Sequence, residues 1–579
     1  MCGIFGVLSA YDINLNYATN NLKKLEYRGY DSAGICAILD DKFVLKKTIK
    51  SIENLTSKTK NETSRNIICH TRWATHGKIS TKNTHPHVAN NISIVHNGII
   101  ENYKELIVKF NLKNKLLSDC DSEIIAHIFN LYITTSENLP KQIKQCLKEF
   151  KGSYAFLVQC LKFKELVFGA KKESSLFIAK TNFGFCFSSD IAGFDNQTIC
   201  YCSLDDDEFF IADVKEKKLV VYDKNLNIVN KKFTTYQQTK NCLTNGNFKS
   251  YLEKEIFDIP RAFKECKKFY SENLNNSKML KNFNEINFVA CGSAYHSALI
   301  CCFVIKNTLH KKCNAYIASE FIFENLEFQK KTLFVFISQS GETFDTIQAL
   351  KKVKKLHFQT LALTNSTNST LARLCDNFLP LCAGKEFSVA STKAYNCTIF
   401  AIHFLCNIKL QHFNERALYK LIQRKDEFLL SSKIVKFKKI IYIGKCEDYF
   451  TAMESSLKFR ELTYLNSFAF PCGELKHGSL ALVDKNTVVI AILTNTKYKK
   501  AILNSLSEVK TRQATTILVS TEKIADDVVD YFISIPRIKN LPLLTYSVTI
   551  FQKIALYSCE ALHLNIDKPR NLAKSVTVQ

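Results

Sequence analysis

The C-terminal half of the chain carries the same order of strand and helix signals twice. In the first copy an apolar run that ends in glycine, Phe288–Gly292, is followed by a helical segment and by a second apolar run, Leu333–Ile337. Ile441–Gly444 and Val488–Leu493 repeat this order at a similar spacing. Strands that alternate with helices predict an α/β fold with a parallel, doubly wound sheet in each copy, and ligands at the carboxyl ends of the strands.

A loop rich in hydroxyl groups follows the second strand of the first copy. Residues 338–343 read Ser-Gln-Ser-Gly-Glu-Thr, and a helix is predicted from Asp345 onward. Free backbone N–H groups, the positive end of a helix dipole and several hydroxyl donors favour a phosphate site there. The alternative is a plain helix cap, because Ser and Thr also favour that position. The Gly-Lys-Ser/Thr sequence of a nucleotide P-loop is missing after this strand.

The N-terminal part also alternates strand and helix signals. Strands are predicted at Ile4–Leu8, 67–69 and 92–95, and a helix at 123–129. The region continues to about residue 221, and the polar stretch 236–250 after it has little to bury. That stretch is therefore predicted to be a linker.

Composition excludes several classes of protein. With 46% apolar and 23% charged residues the chain is globular, and no run approaches the ~20 apolar residues of a membrane span. A secretory signal is not recognisable, so we expect a cytoplasmic protein without a membrane partner. The net charge of +25 comes from lysines spread along the chain, and no nucleic-acid motif accompanies them.

The 22 cysteines do not suggest a metal site, because no two of them stand three apart. Most are predicted to be buried and reduced. Cys2 is different, because removal of Met1 would give it a free α-amine beside its own thiol. An α-amine has a pKa of about 7.7–8.0, so near neutral pH it can serve as the base for that nucleophile.

Several motifs accompany Cys2. They are Tyr-Arg-Gly-Tyr-Asp-Ser-Ala-Gly at 27–34, His-Thr-Arg-Trp-Ala-Thr-His-Gly at 70–77, His-Pro-His at 85–87, His-Asn-Gly at 96–98 and Asp-Cys-Asp-Ser-Glu at 119–123. Together they resemble the class II, N-terminal-nucleophile glutamine amidotransferase domain over about residues 2–215. The resemblance implies an αββα fold of the N-terminal-nucleophile hydrolase type.

The resemblance also implies roles for single residues. Arg72 would grip the α-carboxylate of glutamine, and Asp121 would pair with its α-ammonium. Asn97 and Gly98 would donate N–H groups to the oxyanion, each worth ~3 kcal/mol. The remaining residues implied at the glutamine site are Trp73, on a loop that gates the ammonia path, and His76. His76, His85 and His87 are interpreted as hydrogen-bonding residues, and no metal is expected.

The C-terminal motifs resemble the sugar isomerase (SIS) domain, once in each copy. They include Cys-Gly-Ser at 291–293, Val-Ala-Ser-Thr-Lys-Ala at 389–394 and Gly-Glu-Leu-Lys-His-Gly at 473–478, followed by the tail 567–578. An amidotransferase domain followed by two SIS domains and this tail resembles the isomerizing glutamine:fructose-6-phosphate aminotransferases. The resemblance covers nearly the whole chain outside the linkers.

That family implies a second set of roles. His477, from the neighbouring subunit of a homodimer, would assist ring opening, Lys574 would form a Schiff base with C2, and Glu461 would remove the C1 proton. Glu461 shares one helix face with Lys458 and Glu454, which on spacing alone favours a surface salt-bridge ladder, but the neighbouring motif at 473–478 reverses this preference. The residues implied to bind the sugar phosphate are Ser293, Ser338, Gln339, Ser340, Thr343, Val389, Ser391, Lys458 and Ala573.

Three positions depart from the family pattern. Ala294 stands where a hydroxyl residue is usual, Ser388 replaces a Gly, and Ser479 replaces a Pro. They affect substrate fit and loop stiffness, and they remove no catalytic group. The expected domains are 2–215 for the amidotransferase, 216–276 for a linker region, 277–416 and 431–569 for the SIS domains, and 570–579 for a catalytic tail.

The expected reaction converts L-glutamine and D-fructose 6-phosphate into L-glutamate and D-glucosamine 6-phosphate, without a cofactor. Two alternatives stay open on the residues alone. Another class II amidotransferase, of the phosphoribosyl or asparagine-forming type, would share Cys2 and Arg72. A non-catalytic sugar-phosphate sensor would need only the hydroxyl-rich loop.

Overall fold

The computed structural model describes residues 2–73, 77–236, 246–273, 279–325, 327–406, 408, 415–524, 527–536 and 543–576. The chain divides into two compact units, one of Met1–Cys242 with Ser575–Gln579 and one of Leu243–Lys574. Among the described residues, no helix has both the length and the mean hydropathy needed to cross a bilayer.

The first unit contains two antiparallel sheets and the helices that cover them. Its strands are β1 (Gly3–Asn14), β2 (Ser32–Leu39), β3 (Lys42–Thr48), β4 (Thr63–Arg72), β5 (His87–Ala89), β6 (Ile92–Ile100), β7 (Gly152–Cys160), β8 (Leu166–Lys172), β9 (Phe177–Thr181), β10 (Gly184–Ser188), β11 (Thr198–Ser203), β12 (Glu208–Asp213), β13 (Lys218–Tyr222) and β14 (Thr234–Thr235). Its helices are α1 (Leu15–Lys23), α2 (Ile52–Ser57), α3 (Tyr103–Lys109), α4 (Ser122–Tyr132) and α5 (Leu139–Glu149).

The layers of this unit follow from the alternation of apolar residues along its strands. One sheet has the order β14-β11-β9-β10-β1-β4-β2-β3 and the other β13-β12-β8-β7-β6-β5. Ile4 and Leu8 of β1 lie in the core between the sheets, whereas Phe5 and Val7 pack with α1 and α2. A third core joins the other sheet to α3, α4 and α5. The predicted αββα arrangement is confirmed.

The second unit contains two parallel sheets. The strands of one are β15 (Glu285–Ala290), β16 (Lys312–Ile317), β17 (Thr332–Ser338), β18 (Gln359–Thr364) and β19 (Asn377–Pro380), and those of the other are β20 (Lys439–Gly444), β21 (Ser467–Pro471), β22 (Thr487–Leu493), β23 (Thr515–Ser520) and β24 (Tyr531–Ser534). The helices are α6 (Tyr251–Phe257), α7 (Ile259–Asn273), α8 (Gly292–Leu309), α9 (Ala318–Phe321), α10 (Phe344–Lys355), α11 (Thr370–Leu374), α12 (Lys393–Leu405), α13 (Glu415–Gln423), α14 (Asp426–Ile434), α15 (Glu447–Thr463), α16 (Lys499–Lys510) and α17 (Leu543–Ala561).

The two sheets share one topology. Their orders are β16-β15-β17-β18-β19 and β21-β20-β22-β23-β24, and every pair is parallel. Counted within each copy this is the order 2-1-3-4-5, whose switch point lies between the first and third strands. The predicted duplication and the doubly wound sheets are confirmed, and the switch point of the first copy lies between β15 and β17.

The range expected to be a linker, 216–276, is largely structured. It contains β13, α6 and α7, and only residues 237–245 and 274–276 of it lie outside the described part. Leu252, Ile256, Ile259, Phe263 and Tyr270 join the large core of the second unit. Their three- and four-residue spacing is the helical pattern that the sequence analysis did not apply to this range.

Candidate active sites

Cys2 lies where two neighbouring strands end. β1 begins at Gly3, which pairs with Thr71 of β4, so the antiparallel register leaves Cys2 opposite Arg72, the last residue of β4. The Trp73 backbone N–H donates to Cys2 Sγ at 3.2 Å, and the Trp73 ring packs edge-on against Tyr30. A Cβ on Gly3 would lie 2.9 Å from Leu25 Cβ and from Thr71 Oγ1. The glycine after the cysteine is therefore required for this close approach.

The surroundings of the thiol determine how it can react. Burial raises the pKa of the Cys2 thiol. The group is consequently a neutral thiol near pH 7, and a thiol is a far weaker nucleophile than a thiolate. A nearby base must accept the proton, which agrees with the role expected of the α-amine.

Asn97 lies beside Cys2 in a fixed orientation. Its Nδ2 donates to the Cys2 carbonyl oxygen at 3.0 Å, and its Oδ1 lies 3.1 Å from His70 Nε2. His70 Nε2 also faces the His96 carbonyl oxygen at 3.0 Å, so this nitrogen carries the proton and donates. Burial lowers the pKa of His70 to about 3, which keeps the ring neutral. Asn97 therefore presents its amide N–H groups toward Cys2, as an oxyanion donor must.

Gly98 follows Asn97 with a φ of +135°, and a Cβ there would lie 2.1 Å from the Ser153 carbonyl oxygen. Only glycine fits this position of β6. The backbone N–H implied to be the second oxyanion donor thus lies in a segment that no other residue can occupy.

The residues implied to bind glutamine surround Cys120. Arg72 is buried and donates to the Gly77 carbonyl oxygen at 3.3 Å and to Cys120 Sγ at 3.4 Å. Asp121 is buried at the start of α4, where its carboxylate accepts the Ile100 N–H at 2.8 Å. Burial raises the pKa of Cys120 to about 11, opposed by the charge of Arg72 and assisted by that of Asp121. Arg72, Cys120 and Asp121 therefore lie near one another. His76 falls outside the described residues.

Four buried histidines lie behind this site. The His70 and His85 rings stack with centroids 4.1 Å apart, and His87 packs edge-on against His85 at 4.5 Å. His85 Nδ1 accepts the His96 backbone N–H at 3.2 Å. Burial lowers the pKa of all four, so they are neutral. In the described ranges no group of His, Cys, Asp and Glu has the arrangement of a metal site.

The hydroxyl-rich loop connects β17 to α10 at the switch point of the first copy. Ser338 Oγ lies 2.9 Å from Thr343 Oγ1 and accepts the Gly341 N–H at 3.0 Å, and Ser340 Oγ accepts the Glu342 N–H at 3.1 Å. Gly341 has a φ of +69°, and a Cβ there would lie 2.1 Å from Ser369 Oγ. The carbonyl oxygen of Gln339 accepts the N–H of Asn365 at 3.2 Å.

The plain-cap interpretation of this loop fits less well. Thr343 is the residue before α10, yet among the described residues its side chain caps no helical N–H. Cys291, which precedes α8, makes no such bond either. The first N–H groups of both helices therefore face the switch point with their dipoles, which favours an anion. Ser293 is half-buried in the first turn of α8, beside Ala294.

Lys574 is bound inside the first copy. Its Nζ lies 3.0 Å from Glu386 Oε2, and both side chains are buried. Glu386 follows β19 at the carboxyl edge of the sheet, and it also accepts the N–H groups of Thr392 and Ala394 at 3.0 Å. Burial alone would raise the pKa of Glu386, but the charges of Lys574 and Lys393 lower it to about 2. Glu386 is therefore a carboxylate that orients the Lys574 amine.

The other implied sugar contacts lie around this pair. Ser391 Oγ donates to Glu386 Oε2 at 3.5 Å, and the Val389 N–H donates to the Asp567 carbonyl oxygen at 3.1 Å. Ala573 is joined directly to Lys574. The tail that carries Lys574 is thereby attached to the loop that carries Val389 and Ser391.

Sequence reasoning missed Glu386 and a second buried acid, Glu255 of α6. Glu255 accepts the N–H groups of Phe387 and Ser388, the latter at 3.2 Å. Burial raises the pKa of Glu255 to about 8, against the charge of Lys574. It is consequently a neutral acid at pH 7. Its position on the apolar face of α6, beside Leu252, was the available signal.

Glu454, Lys458 and Glu461 lie on one face of α15, as predicted, but this face is not at the surface. Glu454 and Lys458 are buried, Lys458 Nζ bonds to Glu461 Oε2, and it lies 3.7 Å from Glu454 Oε1. Burial lowers the pKa of Lys458, but the charges of Glu461, Glu454 and then Glu386 raise it above the usual value. The interpretation of these residues as a salt-bridge ladder on the protein surface is wrong. The charge of Glu386 acts on Lys458 and also pairs with Lys574.

His477 is separate from these groups within the chain. It is exposed, and it follows a short 3-10 helix, Cys472–Lys476, with Ser479 two residues later. Among the described residues, no hydrogen bond or ion pair joins His477 to Glu461 or to Lys574.

Comparisons with known proteins identify the families to which parts of the chain are similar. The SIS domain family matches residues 279–408 and 433–529, and the glutamine amidotransferase domain family matches residues 70–196. The isomerizing glutamine–fructose-6-phosphate aminotransferases of Clostridium acetobutylicum and Helicobacter pylori are 33% and 34% identical to the chain, each over 100% of both sequences. The C-terminal domain of glucosamine-fructose-6-phosphate aminotransferase from Francisella tularensis matches 56% of this chain and 99% of its own, with 27% identity and a TM-score of 0.51. The chain belongs to the family of isomerizing glutamine–fructose-6-phosphate aminotransferases.

Proposed function

We propose that this chain transfers the amide nitrogen of L-glutamine to D-fructose 6-phosphate and isomerises the product, giving D-glucosamine 6-phosphate and L-glutamate. The observation that carries the proposal is the buried pairing of Lys574 with Glu386 at the carboxyl edge of the first SIS sheet. A lysine held there by Glu386, whose charge also acts on Lys458, has the chemistry needed to process a ketose phosphate.

In the glutaminase half, the α-amine of a processed Cys2 would take the thiol proton. The thiolate would add to the glutamine amide carbon, with the oxyanion bound by the Asn97 and Gly98 N–H groups. Collapse of this intermediate would release ammonia and leave a thioester, which water would hydrolyse to glutamate. Arg72 and Asp121 would bind the two charged α-groups of glutamine, and Trp73 and His76 would also contribute to this site.

In the sugar half, the phosphate would bind the N–H and hydroxyl groups of the 338–343 loop. Lys574 would form an imine with the C2 carbonyl and release water, and ammonia would then displace the lysine. Glu461 would move a proton from C1 to C2, while the C1 hydroxyl proton passes to the imine nitrogen, so that C1 becomes the aldehyde and C2 carries the amine. Neither half requires a metal or an organic cofactor.

The two alternatives are not favoured. Another class II amidotransferase would need a phosphoribosyl-pyrophosphate or ATP site, whereas this chain has two SIS domains. A sensor that only binds sugar phosphate has no use for a reactive N-terminal thiol or for a buried lysine directed by a carboxylate.

Incubation of the purified chain with glutamine and fructose 6-phosphate tests the proposal. We expect glucosamine 6-phosphate and glutamate in equal amounts, identified by mass spectrometry. When phosphoribosyl pyrophosphate or aspartate with ATP replaces the sugar, no aminated product should form. Glutamine consumption without any aminated sugar phosphate would contradict the proposal.

We propose further that the enzyme is a cytoplasmic homodimer that passes ammonia internally, and that the domains have the limits 2–215, 277–416, 431–569 and 570–579. The absence of disulfides among the described cysteines supports a reducing compartment. The exposed position of His477 supports its action in the sugar site of a partner.

Hybrid dimers test this shared site. His477→Ala and Lys574→Arg chains should each be inactive toward the sugar, but a dimer of one of each contains one intact site. With different tags on the two chains, purified hybrids should show about half the wild-type rate of glucosamine 6-phosphate formation. Hybrids no more active than the parents would show that His477 acts within its own chain, or not at all.

A further inference from the structure

His296 connects the two SIS copies through a buried hydrogen bond. It lies on α8 of the first copy, only 8% exposed, and its Nδ1 is 2.9 Å from Glu454 Oε2 of α15. Glu454 is 0% exposed. Since a carboxylate oxygen only accepts, His296 donates its Nδ1–H, and this bond partly compensates the buried charge of Glu454.

The contact continues toward the proposed catalytic base. The other oxygen of Glu454 lies 3.7 Å from Lys458 Nζ and accepts no hydrogen bond from the described residues. Lys458 Nζ bonds instead to Glu461 Oε2. Glu454 and Glu461, on one face of α15, therefore both attract the ammonium of Lys458. In this structure the ammonium is hydrogen-bonded to Glu461.

Two further polar groups near Glu454 and Lys458, those of Tyr395 and Glu386, do not supply Glu454 with a hydrogen bond or a positive charge. The Tyr395 hydroxyl of α12 is buried without a hydrogen-bond partner in the described structure, and burial together with the charge of Glu454 raises its pKa. Glu386 adds a third negative charge near Lys458 and raises its pKa further. His296 is therefore the group that offsets the charge of Glu454 directly.

We propose that His296 is a positioning residue for the sugar half of the reaction. By donating to Glu454 it weakens the attraction of that carboxylate for Lys458, so that Lys458 stays bound to Glu461 and holds the proposed base in its reactive orientation. Without the donor, Lys458, whose Nζ already lies 3.7 Å from Glu454 Oε1, would move to compensate the buried Glu454, and Glu461 would lose its partner. This inference rests on the proposed function.

Two substitutions in the full-length chain separate positioning from packing. His296→Leu removes the donor, and His296→Asn keeps an N–H close to the place of Nδ1. We expect His296→Leu to lower kcat for glucosamine 6-phosphate formation about 10- to 100-fold, as misplacement of a reactive group does, with KM for fructose 6-phosphate nearly unchanged. His296→Asn should recover most of that loss, and glutamine hydrolysis should be unaffected by either change.

His403 supplies the matched control, because it is also a buried histidine of a helix, 8% exposed, but its one side-chain hydrogen bond within the described part of the chain is to a backbone oxygen, that of Ile399 at 2.7 Å. His403→Leu should leave kcat unchanged. A double-mutant cycle adds a test that does not depend on overall stability: in a Glu454→Gln background, His296→Leu should have little further effect.

The inference is overturned if His296→Leu retains the wild-type kcat, if His296→Asn is as slow as His296→Leu, or if the two effects in the cycle are additive. A wild-type chain that makes no glucosamine 6-phosphate would overturn the proposed function itself, and with it this inference. The two failures are therefore distinguishable by the wild-type rate.

Discussion

Lys574→Arg is expected to abolish amination of fructose 6-phosphate and to leave glutamine hydrolysis in place. An arginine keeps the positive charge beside Glu386, but a guanidinium stays protonated near neutral pH and cannot form the imine. The loss should reach at least about 10³-fold in kcat, as for removal of other covalent catalysts. The rates of glucosamine 6-phosphate and glutamate formation, measured together, check this result.

Arginine is preferred to alanine for a structural reason. Glu386 and Lys574 are both buried, and removing one partner of a buried ion pair typically costs about 3–5 kcal/mol. Alanine would thus combine a chemical effect with a loss of stability. Lys553→Arg is the matched control, because Lys553 is also buried and paired with a carboxylate, Glu427 at 2.9 Å.

Borohydride trapping identifies the reacting amine directly. Wild-type chain reduced in the presence of fructose 6-phosphate should gain one sugar phosphate on the peptide that contains Lys574. The Lys574→Arg chain should gain none, and Lys553→Arg should behave like the wild type. An adduct of equal yield on the Lys574→Arg chain would assign the imine to another lysine.

Cys2→Ala is expected to have the opposite effect, with glutamine hydrolysis reduced by at least about 10³-fold and isomerisation of the sugar phosphate retained. The thiol has no substitute in the alanine variant, whereas Lys574 and Glu461 belong to the other unit and are unchanged. Glutamate release and glucose 6-phosphate formation without glutamine measure the two activities. Cys146→Ala, at a buried cysteine of α5, is the control for loss of a thiol elsewhere in the unit.

A second variant, measured with the same assays, distinguishes the role of the thiol from that of the α-amine. Insertion of a lysine between Met1 and Cys2 should block removal of the methionine, leaving the thiol but placing its amine in a peptide bond. This chain should be as inactive with glutamine as Cys2→Ala, with its mass confirming the retained methionine. Full glutamine use by the unprocessed chain would exclude the α-amine as the base, because the buried thiol would then need another one.

The sequence could predict those parts of the molecule that local patterns encode. Alternating apolar residues such as Ile4, Phe5, Val7 and Leu8 are buried on both faces of a strand, and the repeated strand–glycine–helix order corresponds to two sheets of one topology. The motifs also located the residues around Cys2 and the 338–343 loop. In each of these cases the informative residues are close together in the chain.

The missed features depend on residues that are distant in sequence. Glu386 and Lys574 are 188 positions apart, and His296 and Glu454 are 158 apart. No periodicity reports such contacts, because they follow from which loops meet at the edge of a folded sheet. Glu255 was missed for a different reason, since its helix was taken for a linker on the basis of the polar residues before it.

The pairing of Lys574 with Glu386 has a consequence for translation. Each ribosome finishes the glutaminase domain long before it reaches codon 574, and domains generally fold as they emerge. If Lys574 forms the proposed imine, a nonsense or frameshift lesion at or before codon 574 would therefore release a polypeptide that hydrolyses glutamine without aminating any acceptor. On the same condition, proteolytic removal of the segment that carries Lys574 would leave glutamine hydrolysis without amination of the sugar.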